Sequence, residues 1–328
     1  MELMTVSRID ALPAPHRRAR LPVNIHMGSI DMHFGMSLIG IVLAAATPAT
    51  AVDDPLLRPI EPDHAKEWLT PQPPARIYGN TYLVGFGGLN VGLIRTRAGL
   101  ILIDGALPQA VRDVEANVRR LGFRLSDVKW ILSTEPHFDH AGGLAALERD
   151  TGATVVASEP AAIVLRQGHS NADDPQMAWL DPYPAVARVR TVRDGETVRL
   201  GEVTVTAHAT PGHTPGSMSW TWRSCESGRC LSVVFGSSLN PLAAGAYRFS
   251  DPAHAAALAA FRGSFATVRA LPCDILITAH PGQSDGDVKF ARFQKQRDPN
   301  PFIDPGACRA YADASEKMLG EVLAKEAR

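Results

Sequence analysis

Glu135, His137, Asp139 and His140 crowd four metal-capable side chains into the six positions Glu135-Pro136-His137-Phe138-Asp139-His140, shortly after the apolar run Val128-Lys129-Trp130-Ile131-Leu132. Imidazole nitrogen and carboxylate oxygen are the donors that hold zinc in open catalytic sites, where the ion keeps a position for water or substrate. One histidine here would read as a loop residue satisfied by ordinary hydrogen bonds. Four donors at a strand end read as a metal site.

Two ions, each with an open position, need about six protein donors, so further ligands must come from elsewhere in the chain. His213 lies in Thr210-Pro211-Gly212-His213-Thr214-Pro215-Gly216, where prolines and glycines fix a turn and let the backbone approach an ion. His280 follows Asp274-Ile275-Leu276-Ile277-Thr278-Ala279 and precedes Pro281-Gly282, which sets it at the mouth of a second strand. Each alone reads as a loop histidine. With the first cluster they complete the set.

At these residues the chain resembles the metallo-β-lactamase superfamily, whose signature is H-x-H-x-D-H followed by two later histidines on strand ends. Glu135 stands where the signature has its first histidine, so the pattern reads E-x-H-x-D-H. The resemblance implies two zinc ions, one held by Glu135, His137 and His213 and the other by Asp139, His140 and His280. Two histidines with one glutamate form a ligand set of other zinc hydrolases, so the substitution changes the charge of the first site without abolishing it.

Three further segments resemble subclass B3 of the β-lactamases. In Val233-Val234-Phe235-Gly236-Ser237-Ser238-Leu239-Asn240-Pro241 a serine stands where the wider superfamily carries an aspartate bridging both metals and other subclasses carry a cysteine ligand. The segments Thr214 to Trp222 and Ser264 to Asp274 are similar to that subclass as well. Over about residues 76 to 325 the resemblance implies an α/β four-layer αββα sandwich, and hydrolysis of the β-lactam amide of penicillins, cephalosporins or carbapenems, conferring antibiotic resistance. Asp139 would orient the attacking hydroxide and receive its proton. Ser237, Ser238 and Asn240 are candidates for gripping the substrate carboxylate, with the resemblance favouring Ser238 and Asn240; a plain polar loop is the alternative. Asp104, after Ile101-Leu102-Ile103, would be the family's buried aspartate that supports a ligand loop without touching metal. The stretch Tyr82 to Asn90 reads either as a cover over the ligand or as a simple hairpin.

The elements that must carry these residues follow from periodicity, which by itself says only α/β. Short strands at Thr81 to Gly85, Val91 to Thr96 and Leu100 to Asp104 precede an amphipathic helix from about Pro108 to Leu121. A strand to Leu132, a helix from about Gly142 to Asp150 and a strand at Ala153 to Ala157 continue the first half. The second half repeats the scheme with strands Glu196 to Leu200, Val203 to Ala209, Ser217 to Trp222 and Leu231 to Phe235. A helix through His254 to Leu271, a strand from Asp274 to Thr278 and terminal helices close it.

A chain of 328 residues with 45% hydrophobic and 20% charged residues is ample for one large core. Its formal net charge of -1 gives no basic footprint for nucleic acid, which argues against the nuclease branch of the superfamily. Ser37 to Ala46 is an apolar stretch too short to span a membrane, and Ala49-Thr50-Ala51 has the small-x-small form of a signal-peptidase site. Residues 1–51 are therefore expected to be an export leader, over-long if Met27, Met32 or Met36 is the true start, and residues 52–328 a single periplasmic domain. A monomer with a small-molecule substrate, no nucleic-acid partner and no membrane span is expected of the mature form.

The four cysteines lie away from the proposed ligands and suit bridges in an oxidising compartment. Three connectivities are possible; proximity and the resemblance favour Cys225 with Cys230 and Cys273 with Cys308. Two other functions stay open at this stage. One is another hydrolase of the fold, a lactonase or glyoxalase-like thioesterase, and the other a non-catalytic periplasmic zinc-binding protein.

Overall fold

Short apolar runs build two sheets; most are buried almost throughout, as strands covered on both faces must be, and alternation marks Thr197–Leu200 and Val203–Ala209. The structure, a computed structural model, describes residues 53–328; the expected leader lies outside them. The first sheet has seven strands in chain order: β1 (Ala75–Tyr78), β2 (Thr81–Leu83), β3 (Gly92–Thr96), β4 (Gly99–Ile103), β5 (Val128–Leu132), β6 (Thr154–Ala157) and β7 (Val189–Thr191). Its first four strands are antiparallel, and β4 to β7 run parallel because helices cross between them. The second sheet holds β8 (Thr197–Leu200), β9 (Val203–Ala209), β10 (Met218–Glu226), β11 (Arg229–Gly236) and β12 (Ile275–Thr278), ordered β12-β11-β10-β9-β8.

Eight α-helices accompany them among the described residues: α1 (Ala65–Trp68), α2 (Val111–Arg120), α3 (Phe138–Ala141), α4 (Leu144–Thr151), α5 (Glu159–Gln167), α6 (Ala255–Ala270), α7 (Gly286–Lys295) and α8 (Ala307–Glu326). The sheets face each other across a core that includes Ile94, Ile101, Leu132, Val156, Trp220, Phe235 and Ile277. Val111, Val114 and Val118 of α2, at helical spacing, lock onto the outer face of the first sheet with Leu144 and Leu147 of α4. On the other side Phe261, Phe265 and Val268 of α6 and Tyr311, Ala312 and Leu319 of α8 cover Val234 and Leu276 of the second sheet. Helices outside two stacked sheets make the expected four-layer αββα sandwich. No helix among the described residues is long and apolar enough to cross a membrane.

Differences from the sequence reading have local causes. Strand β10 runs on to Glu226 because Cys225 sits opposite Cys230 in the β10–β11 ladder and is bonded to it, so the hairpin continues to its tip. The second bridge joins Cys273, before β12, to Cys308 in α8. The turn from Val84 to Leu89 is a hairpin connection: Phe86 N–H donates to Leu89 O at 2.8 Å, and both side chains are buried.

Candidate metal centre

All six proposed ligands leave the carboxyl ends of strands at one edge of the sandwich, where loops can converge. The run Glu135 to His140 follows β5, His213 follows β9, and His280 follows β12. His137 is the last extended residue before α3, whose single turn carries Asp139 and His140. That turn packs on the loop after β4 through a close backbone approach: a Cβ on Gly143 would stand 2.2 Å from Gly105 O, and Gly105 N–H donates to His140 O at 2.8 Å. Asp104 and Ala106, flanking Gly105, hold left-handed backbone at φ 65° and 56°. Strain of this kind persists where surrounding structure fixes it, as the ligand turn does here.

Asp139, His140 and His280 form a compact donor group, with one ligand atom from each lying within 4.8 Å of the others. His140 Nε2 lies 3.1 Å from Asp139 Oδ2 and 3.1 Å from His280 Nε2, and His280 Nε2 is 3.1 Å from Asp139 Oδ2. Glu135 Oε1 joins this group at 2.9 Å from His140 Nε2. Both oxygens of Glu135 are also held by Ser238, whose Oγ donates to Oε1 at 2.7 Å and whose N–H donates to Oε2 at 3.1 Å. Glu135 therefore leans towards the second ligand group, whereas the sequence reading grouped it with His137 and His213. Those two rings are neighbours, with centroids 5.0 Å apart.

The nitrogens decide whether a cation fits. Metal-bound histidines hand their second ring nitrogen to an acceptor, which fixes the tautomer. His213 Nδ1 faces the Asn240 carbonyl at 2.8 Å, and His280 Nδ1 faces the Gly88 carbonyl at 3.1 Å, so each presents Nε2. His140 turns Nδ1 towards Asp104 Oδ2 at 3.7 Å and Nε2 into the cluster. His137 is reversed: its Nε2 is 2.8 Å from Asp174 Oδ2, which leaves Nδ1 for an ion. Three imidazoles are thus held from behind by hydrogen bonds and His140 by the nearby Asp104 carboxylate, an arrangement that suits a divalent metal.

Electrostatics points the same way. Burial works to raise the Glu135 and Asp139 carboxyls, yet the surrounding imidazoles, His140 foremost, hold both well below the usual carboxylate range. Burial opposes the charge on His140, and the Asp139 and Glu135 carboxylates outweigh it, lifting that imidazole well above its ordinary value. Protons balance a buried pair of carboxylates here, and a divalent ion would replace them. Asp104 differs: burial pushes its carboxyl up to about 7, against His140 and two hydrogen bonds from Thr134. Through Thr134 it holds the start of the loop that carries Glu135.

The remaining expected residues divide. Ser237 is fully buried, with Oγ at 2.8 Å from Thr210 Oγ1, and its hydroxyl serves the sheet interior. Ser238 is equally buried and bound to Glu135. Asn240 is half-buried beside Gln283, whose amide reaches its Oδ1 at 3.4 Å and Ser238 Oγ at 3.2 Å. Sequence reasoning missed Asp174 and Gln176. The loop before β7 brings both to the histidines, with Gln176 Nε2 at 3.2 Å from His213 Nε2. The signal was the polar stretch Asn171-Ala172-Asp173-Asp174-Pro175, which has no helical or strand period of its own.

The family model of the metallo-β-lactamase superfamily matches residues 84–280. A solved B3 metallo-β-lactamase with an active-site glutamic acid is 52% identical, covers 84% of this chain and 99% of its own, and superposes with a TM-score of 0.78. MEM-A1, a subclass B3 enzyme isolated from a soil metagenome library, is 48% identical over 79% of this chain and 98% of its own, with a TM-score of 0.77. Among curated proteins, YobT of Bacillus subtilis is 31% identical over 145 residues, 43% of this chain, and the match spans only 59% of that protein's length. With the two sheets, the layered helices and the ligand-bearing strand ends in place, the chain belongs to the metallo-β-lactamase superfamily and, within it, to the subclass B3 enzymes.

Proposed function

We propose that this protein opens the β-lactam ring with water, using two zinc ions, and that it works as a monomer in the periplasm after a leader ending near Ala51 is removed. The observation that carries the reading is the donor set itself: four imidazoles, each oriented from behind, around two buried ionised carboxylates. The B3 relative with an active-site glutamic acid supports Glu135 as a working member of that set.

Glu135, His137 and His213 would hold one ion, and Asp139, His140 and His280 the other. Zinc supplies Lewis acidity when bound, acidifying water and polarising a carbonyl oxygen. Asp139, kept ionised by His140 and His280, accepts a hydrogen bond from the attacking water and receives its proton as the carbon–oxygen bond forms. The carbon–nitrogen bond then breaks and the amide nitrogen takes up a proton, giving the ring-opened amino acid. Asn240, at the rim of the ligand cluster, offers its side-chain amide to the substrate carboxylate while Gln283 holds its Oδ1, and Ser238 keeps Glu135 in place.

Turnover of a chromogenic cephalosporin, lost with a chelator and restored by zinc, is the expected result, run beside lactone and thioester substrates to separate the rival hydrolases. Asp139→Ala at full zinc occupancy is expected to lose roughly 10²- to 10⁴-fold in rate. A wild-type rate in that variant would remove Asp139 from the mechanism.

A further inference from the structure

His280 is the most exposed of the cluster ligands, its side chain 21% accessible against 2% for His140 and 7% for Asp139. Its Nδ1 contact is with Gly88 O, from a residue 192 positions earlier. Its support therefore comes from outside its own loop. We propose that the N-terminal strap, residues 64–73, is a positioning element for His280, acting through Trp68.

Three observations meet at Trp68. Its ring lies 5.5 Å from that of His280, tilted by 48°, and 6.3 Å from that of Phe138, the residue between His137 and Asp139. Its carbonyl accepts from Gly88 N–H at 3.3 Å, and Thr70 O accepts from Gly87 N–H at 2.8 Å, so the strap is bonded to the same loop that presents the Gly88 carbonyl to His280. The contact is as close as backbones allow: a Cβ on Gly88 would lie 2.5 Å from Trp68 Cα. The far side of that loop is pinned independently, by Asn90 N–H to Ala279 O at 2.9 Å and Asn90 Nδ2 to Thr278 O at 2.8 Å. Beside the indole a cavity of about 520 Å³ is lined by Trp68, His280, Gly88 and Phe290. Without the indole, the His280 ring would face that space on the side where Trp68 now stands, free to swing while its backbone stayed fixed.

The indole thus restricts the solvent-facing side of a ligand ring whose other side meets His140 and Asp139, and the strap sets the acceptor that fixes its tautomer. Groups that orient a metal-bound histidine typically contribute 10- to 100-fold in metal affinity. The effect should fall on one ion, because the rings against Trp68 among the described residues are His64, Phe138 and His280, and neither His137 nor His213 is among them.

The proposal rests on His280 being a metal ligand, and the test separates the two ideas. Zinc binding to the purified mature protein is followed by competition with a chromophoric chelator, resolving two equivalents, with His280→Ala defining which equivalent depends on that histidine. Trp68→Ala is expected to weaken that same equivalent about tenfold and leave the other within twofold. Trp68→Phe is expected to restore it, and Gly88→Ala, which must push the strap off the loop, to reproduce the loss. Melting of the metal-free variants reports any general damage. If Trp68→Ala also melts early, Trp68→Phe decides: wild-type binding supports positioning, and loss of both equivalents overturns it. Unchanged binding in Trp68→Ala, or an equal loss of both ions, overturns the proposal while His280→Ala still removes one. Two intact equivalents in His280→Ala would instead overturn the ligand assignment, and the strap's role with it.

Discussion

Asp174→Asn tests how the first ligand group is built. The Asp174 carboxylate accepts from His137 Nε2 at 2.8 Å while its other oxygen accepts from Gln176 N–H at 2.9 Å. Both side chains of the pair are only 4% accessible, so water cannot take over the contact. A hydrogen bond to a charged group contributes about 1.5–3 kcal/mol and a neutral one about 0.5–1.5. Asparagine keeps the shape and loses roughly 1–1.5 kcal/mol of hold on the imidazole, which is about a five- to tenfold weaker zinc site. Asp174→Ala leaves the buried N–H without a partner and is expected to cost more, within the roughly 10- to 100-fold range of such supporting groups. The pH dependence gives a second readout. Burial opposes the charge on His137, but the Asp174 hydrogen bond and carboxylate outweigh it and raise this imidazole above its ordinary value. A proton on Nδ1 competes with the ion, so wild-type affinity should begin to fall, on acidification, at a higher pH than in Asp174→Asn. Chelator competition from pH 8.5 down to pH 5.5 measures both effects. Equal affinity at pH 8.5 with the same onset of loss would show that Asp174 does not orient His137.

Glu135→His restores one positive charge to the first site; it should fold, bind two ions and move the acid limb of the pH-rate profile down by about one unit, whereas an unmoved limb together with unchanged zinc affinity in Glu135→Ala would exclude Glu135 as a ligand. In the metal-free protein Asp104 is held up to about 7, above its unfolded value near 3.9, so the protonated form is favoured by folding and stability is lost as pH rises through that window. Asp104→Asn lacks that penalty, and its melting temperature relative to wild type should rise between pH 4 and pH 7; a constant difference would contradict the assignment. Intact mass of exported protein should correspond to a chain starting at Val52 with both disulfides formed. Cys273 and Cys308, 35 positions apart, close a loop whose bridge contributes roughly 4 kcal/mol by chain entropy, so replacing both by serine should lower the melting temperature by several degrees.

Much of this protein is local and was open to reading from the chain. The cluster Glu135 to His140 announces metal chemistry because donor types and spacing are covalent facts, and the apolar runs before it and before His280, with the alternating Val203 to Ala209 before His213, place all three at strand ends. Helix α2 shows its buried stripe in valines three and four apart. Even α5, which was passed over, carried its signals in Ser158, Pro160 and Gly168: Ser158 Oγ caps Ala161 N–H at 3.3 Å, and Gly168 closes the helix in left-handed backbone. Edge strands β1 and β7 are too short for periodicity to register; pairing with a neighbour makes them strands. What only the tertiary structure decided is which group stands behind each ligand. Asp174 reaches His137 across 37 positions, Asn240 reaches His213 across 27, and Gly88 reaches His280 across 192, and no pattern in a chain specifies such pairings. The same holds for Glu135. Its carboxylate was legible as a donor, but its grip on Ser238, 103 positions away, exists only because β5 and β11 end at one edge of two facing sheets, where burial makes every polar group find a partner.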